Sequence, residues 1–193
     1  TVVVVVLVTV LVEVTAGVSR TLVETGTPET RARLAWFILL NLDLLGEDGK
    51  LLLGLLVRDD SPLVRAAVAR AVLRQGLSGE TAEWILGSLA GDPERSVRSV
   101  SGEALSRLSG RLGPVCSRAL EKLLEDDDST VRSRTLRGIL DAVHIPLGAM
   151  LERLSKASGD VSSGVRREVV AILADHHALM SEPATAEIVA GLL

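Results

Sequence analysis

Four kinds of side chain in this sequence could do chemistry: three histidines, one cysteine, a run of acids and a recurring aspartate–arginine pair. The acids stand together as Glu125-Asp126-Asp127-Asp128, a cluster able to attract a divalent cation or to exchange protons. A calcium loop needs oxygen ligands at alternate positions and a closing glutamate, and that pattern is missing. Acids between two apolar segments suit instead the turn that caps a helix. His144, His176 and His177 are too few and wrongly spaced for a zinc-binding His-Glu-x-x-His helix, so surface or capping roles are expected. Cys116 has no histidine near it in sequence and reads as a small buried apolar residue rather than a nucleophile. The segment Gly46-Glu47-Asp48-Gly49-Lys50-Leu51 ends like a phosphate loop. It lacks the first glycine at the required distance and the hydroxyl after lysine, so it is expected to connect helices. Neither a Gly-x-Ser-x-Gly elbow nor a dinucleotide fingerprint occurs. A non-catalytic protein is expected, with no cofactor, no metal and no small-molecule substrate.

The aspartate–arginine pair is the organising feature. Asp59, Asp92, Asp126 and Asp160 stand six residues before Arg65, Arg98, Arg132 and Arg166, while the first copy has Thr25 before Arg31. Successive arginines are 34, 33, 34 and 34 residues apart, which is an internal repeat. Seven residues after each arginine comes a large aliphatic residue: Ile38, Val72, Leu105, Ile139 and Leu173. Twelve residues before it stand Leu53, Leu86, Leu120 and Leu154, with Ser19 in the first copy; nine before stand Leu22, Leu56, Leu89, Leu123 and Ala157. Apolar spacings of three, four, seven and eight residues have the helical period, so each repeat holds two helices. Thr27-Pro28, Ser61-Pro62 and Asp92-Pro93 place a capping side chain before a proline suited to a first helical turn, and Asp128 or Ser129 caps without one. The paired helices are predicted at 13–24 with 28–43, 50–58 with 62–75, 80–90 with 93–109, 114–125 with 129–142 and 146–157 with 161–177, and a further one over 183–193.

Composition agrees. Of 193 residues 47% are hydrophobic but only 2% aromatic, so the core must be aliphatic and closely packed. A net charge of −4 argues against a general nucleic-acid binder. A single cysteine excludes an intramolecular disulfide and fits a reducing compartment, the cytoplasm or nucleus. Residues 2–12 are apolar apart from Thr9, too short a run to span a bilayer, which needs about 20 residues. A buried helix is expected there; a truncated membrane or signal segment is the alternative, and only then would a membrane be a partner. One domain is expected over 1–193, with repeats at 13–45, 46–78, 79–112, 113–145 and 146–180 and a partial repeat at 181–193. Both ends fall out of phase with the repeat, which suggests an excerpt of a longer array.

The unit Asp-x5-Arg, with valine before the arginine, resembles the HEAT-repeat family, most closely over Asp59 to Val72 and Asp92 to Leu105. Tetratricopeptide repeats share the length but not the Trp, Gly, Tyr and Phe positions. The resemblance implies an all-α fold, a right-handed α-solenoid of about five HEAT-like helix pairs with a truncated helix at each end. It also implies a structural ladder in which Asp59, Asp92, Asp126 and Asp160 link with Arg65, Arg98, Arg132 and Arg166 along the stack. On a helical projection the positions two, five and nine after each marker arginine lie opposite the aliphatic ones. They carry Arg33, Trp36, Arg70, Arg74, Arg107, Arg134 and Arg137, with Glu103, Asp141, Glu168 and Asp175. In solenoids of this kind the second helices line the concave side. This face is therefore either a groove for an acidic segment of a protein partner, with Trp36 as anchor, or a solvated surface of internal Arg–acid pairs. A non-catalytic protein–protein interaction scaffold, within a larger assembly, is the expected function. The alternatives are a nucleic-acid binder using the same arginine face and, from the resemblance alone, a bilin-lyase-like protein.

Overall fold

A computed structural model describes residues 2–139, 142, 145–176, 179 and 182–192, with side chains from residue 12 onward. Asp141, His144, His177 and Leu193 lie outside the described residues. Among the described residues all regular structure is helical: α1 (Val2–Thr25), α2 (Pro28–Leu40), α3 (Leu42–Val57), α4 (Pro62–Gln75), α5 (Glu80–Leu89), α6 (Arg95–Leu108), α7 (Pro114–Leu124), α8 (Ser129–Arg137), α9 (Leu147–Ser158), α10 (Ser163–Asp175) and α11 (Pro183–Leu192). The fold is thus an all-α helical repeat of the solenoid class. No helix among the described residues is long and apolar enough to cross a membrane. Contacts group the chain into two compact units, Thr1–Gln75 and Gly76–Leu193.

In the first unit α1 packs on α3 and α2 on α4, so first helices form one layer and second helices another. Ile38, Leu53, Leu56, Val64, Val68 and Val72 are fully buried between them. The valine run and residues 13–24 form one unbroken helix rather than two elements. Neither proline nor glycine occurs before Gly17, so nothing interrupts the backbone ladder there. Helix α2 stops at Leu40, short of the expected 43, because Asn41 turns its side-chain amide onto the Phe37 carbonyl at 2.8 Å and closes the helix. The expected connector at Gly46–Gly49 contracts to a single bend at Gly46 inside α3 (φ 52°, ψ −126°), a conformation that glycine adopts without a Cβ penalty.

In the second unit α6, α8 and α10 pack in succession, with α5 on α7 and α9 on α11 in the other layer. The tightest seam is α6 against α8. There Gly102 faces Thr135, Gly138 faces Ser106, and the Ser106 hydroxyl donates to the Thr135 carbonyl at 2.6 Å. Toward the far end Leu136, Ile139, Met150, Leu154, Val165, Val169 and Ile172 form one apolar cluster. Helix α6 begins at Arg95, two residues later than Asp92-Pro93 suggested, because the Asp92 carboxylate accepts the Glu94 N–H (2.9 Å) in a turn and does not cap the helix. Asp128 does cap α8, accepting from the Thr130 and Val131 N–H groups.

Candidate functional site

The marker arginines sit in the first turn of each second helix, and Arg31, Arg98 and Arg132 reach in two directions. Backward, Nη1 donates to carbonyls of the preceding loop: Arg65 to Asp59 (2.6 Å), Arg98 to Asp92 (2.9 Å), Arg132 to Asp126 (2.7 Å) and Arg166 to Asp160 (2.7 Å). Forward, Nε and Nη2 clasp a carboxylate 28 residues later, in the next repeat: Arg31 holds Asp59 at 2.6 and 2.9 Å, Arg98 holds Asp126 at 2.7 and 3.0 Å, and Arg132 holds Asp160 at 2.7 and 2.8 Å. Such forked, charge-assisted pairs are among the stronger hydrogen bonds in proteins. Each aspartate also accepts the N–H two residues ahead, from Ser61, Glu94, Asp128 and Ser162 respectively. Burial alone would raise the Asp126 carboxyl, but the Arg98 guanidinium and the Asp128 N–H outweigh it and hold it below the usual aspartate range. Arg132 does the same for Asp160 against its burial. These arginines are thereby occupied, and the chemistry open to other molecules lies elsewhere.

On the second-helix face of the first unit, α2 exposes Arg33, Trp36, Phe37 and Leu40, and α4 exposes Leu63, Arg70 and Arg74. The 34-residue period sets Arg70 level with Trp36 and Arg74 level with Leu40. The Gln75 side-chain amide reaches back to the Trp36 carbonyl at 3.2 Å, holding the two helices together. Arg33, Arg70 and Arg74 have no hydrogen bond or ion pair among the described residues. The two helices together carry one carboxylate, Glu29, against five arginines.

The second unit differs. Glu103 on α6 lies between Arg134, whose Nε donates to it at 2.8 Å, and Arg107 at 3.7 Å. Arg137 clasps Glu168 with two bonds of 2.8 Å. Glu168 was expected on the exposed face, yet it is 5% exposed. Its position on α10 turns toward α8, where the neighbouring helix covers it and Arg137 supplies the compensating charge. Between α8 and α10 an open groove of about 400 Å³ is lined by Ser129, Thr130, Ser133 and Ser162 with Arg134 and Arg137. Its cations are already paired with the acids beside them.

Other candidates resolve simply. Cys116 is buried and its thiol donates to the Glu83 carbonyl at 3.6 Å; burial, then the Glu83 charge, pushes the thiol up to about 11, so it stays protonated at neutral pH. Among the described residues no group of three or more His, Cys, Asp or Glu side chains could hold a metal ion. His176 closes α10 by donating its backbone N–H to Ile172. Sequence reasoning overlooked Leu40 and Leu63 as surface residues. The helical projection places Leu40, nine residues after Arg31, in the exposed column, so the signal lay in its position rather than its residue type.

Residues 49–140 match the family model described as HEAT repeats. No curated protein matches the sequence.

Proposed function

Because residues 49–140 match HEAT repeats, which commonly mediate protein–protein interaction, we propose that the chain is a non-catalytic scaffold whose second-helix face receives an acidic segment of another protein. The observation that supports this most is the charge on α2 and α4. Arg33, Arg70 and Arg74 are exposed and unpaired among the described residues, on a chain whose net charge is −4. Arg70 and Arg74 have no acid on their own helix and can give their full interaction to a partner, and Arg33 shares its charge only with the exposed Glu29 one turn away, whereas Arg134 and Arg137 would first have to leave Glu103 and Glu168. Of the seven face residues, Arg33, Trp36, Arg70 and Arg74 therefore carry binding, and Arg107, Arg134 and Arg137 stabilise the fold.

The test is retention of the chain on immobilised polyglutamate and on immobilised duplex DNA at several salt concentrations. Retention on polyglutamate is expected, falling as ionic strength rises and lost in an Arg70→Glu/Arg74→Glu variant that keeps its helical circular dichroism. Tight duplex retention with a steep salt slope, and none on polyglutamate, would transfer the function to nucleic-acid binding.

A further inference from the structure

We infer that the partner's segment is an amphipathic helix, with carboxylates one turn apart flanking large apolar side chains, seated on the α2–α4 face; this rests on the acidic-segment reading above. A purely acidic ligand would use only half of what this face presents. Trp36 and Phe37 are each 40% exposed, Leu63 46% and Leu40 65%, and they lie among Arg33, Arg70 and Arg74. Single exposed apolar residues are ordinary, but Trp36, Phe37 and Leu40 within about one turn of α2, level with Arg70 and Arg74 on α4, form a surface that covers best with a ligand of both characters. The spacing names the ligand's form. Trp36 and Leu40 are one helical turn apart on α2, and Arg70 and Arg74 are one turn apart beside them on α4. A helical ligand repeats side chains at the same interval, so acids at i and i+4 meet the arginine pair while apolar residues on the adjoining stripe meet Trp36 and Leu40. Covering the apolar residues also excludes water from the ion pairs, which strengthens them.

Among the described residues the second unit offers no equivalent. Its second-helix groove is lined by hydroxyls and by arginines already held by Glu103 and Glu168.

Three synthetic helical peptides test the inference by fluorescence anisotropy with the full chain: one with Glu and Leu in the pattern above, one with its leucines changed to glutamine, and one with its glutamates changed to glutamine. Only the first is expected to bind tightly. Trp36→Ala or Leu40→Ser should weaken it about tenfold, and Arg70→Glu/Arg74→Glu by at least as much. In a Trp84→Phe background, Trp36 emission should shift to the blue on binding, as the indole leaves water. Equal binding of the leucine-free peptide, with Trp36→Ala and the emission unchanged, would overturn the amphipathic inference and leave the acidic-segment reading standing. Equal binding of the glutamate-free peptide, insensitive to the arginine changes, would overturn both, as would the absence of binding by all three.

Discussion

At the residue scale, an arginine's role here is decided by which carboxylate it meets. Asp126 is a fair measure, because it joins Arg98 from one repeat to the turn that precedes α8. Asp126→Asn should cost about 2–4 kcal/mol at neutral pH, read from urea or thermal unfolding, since it leaves a largely buried guanidinium without its counter-charge. Acid should reproduce the loss. The Asp126 and Asp160 carboxyls titrate lower in the folded chain than in the unfolded one, so the unfolded state binds more protons as pH drops. Their contribution is complete above the ordinary aspartate value of about 4 and disappears as pH falls through the depressed folded values. Unfolding midpoints measured from pH 6 downward should therefore drop below about pH 4, and drop less steeply in Asp126→Asn. Arg137 and Glu168 make an asymmetric pair, with side chains 64% and 6% exposed. Arg137→Ala strands a buried carboxylate and should cost about 1–3 kcal/mol, while adding Glu168→Gln to it should recover part of the loss. A double-mutant cycle showing no recovery would mean that Arg137 acts through packing alone. Cys116, protonated and covered, should react with iodoacetamide far more slowly in the native chain than in denaturant.

At the element scale, the α6–α8 seam is where the repeat tolerates least change. A Cβ on Gly102 would stand 2.0 Å from the Thr135 hydroxyl, and one on Gly138 would stand 2.7 Å from the Glu103 carbonyl oxygen. Alanine ordinarily favours a helix over glycine by up to about 1 kcal/mol. Here overpacking should win, because a backbone carbonyl cannot rotate aside, so Gly138→Ala should lower stability by about 1–3 kcal/mol. Gly102→Ala, opposed by the fully buried, β-branched Thr135 whose Cβ is already 3.0 Å away, should lower it by a similar amount. The comparison of the two melting temperatures checks both the seam and its stiffness. Gly54, with open space beside it, is the control, and alanine there should be neutral or stabilising.

At the scale of the whole molecule, the charged face of the second helices is not uniform. In the first unit its arginines are unpaired among the described residues and surrounded by apolar side chains; in the second they are neutralised by Glu103 and Glu168. Glutamate at Arg70 and Arg74 should therefore remove partner binding with the melting temperature unchanged, while glutamate at Arg137 should lower the melting temperature. Much of this was legible in the sequence. A 34-residue period, columns dominated by leucine at twelve and nine residues before the arginines, and caps such as Thr27 and Asp128 specify helix pairs, because local backbone physics and burial both act through spacing along the chain. Side-chain partners across helices do not follow from spacing. The resemblance implied an aspartate–arginine ladder along the stack but not its register: within a repeat the arginine takes the loop carbonyls, and its forked carboxylate contact lies 28 residues further on. Likewise the projection put Glu168 and Arg137 on one exposed face, whereas the packing of α10 against α8 buries the first and ties the second to it. The sequence alone determined the repeat and its helices. Only the tertiary structure, through the stagger and approach of neighbouring helices, decided which arginines serve the fold and which remain open to a partner.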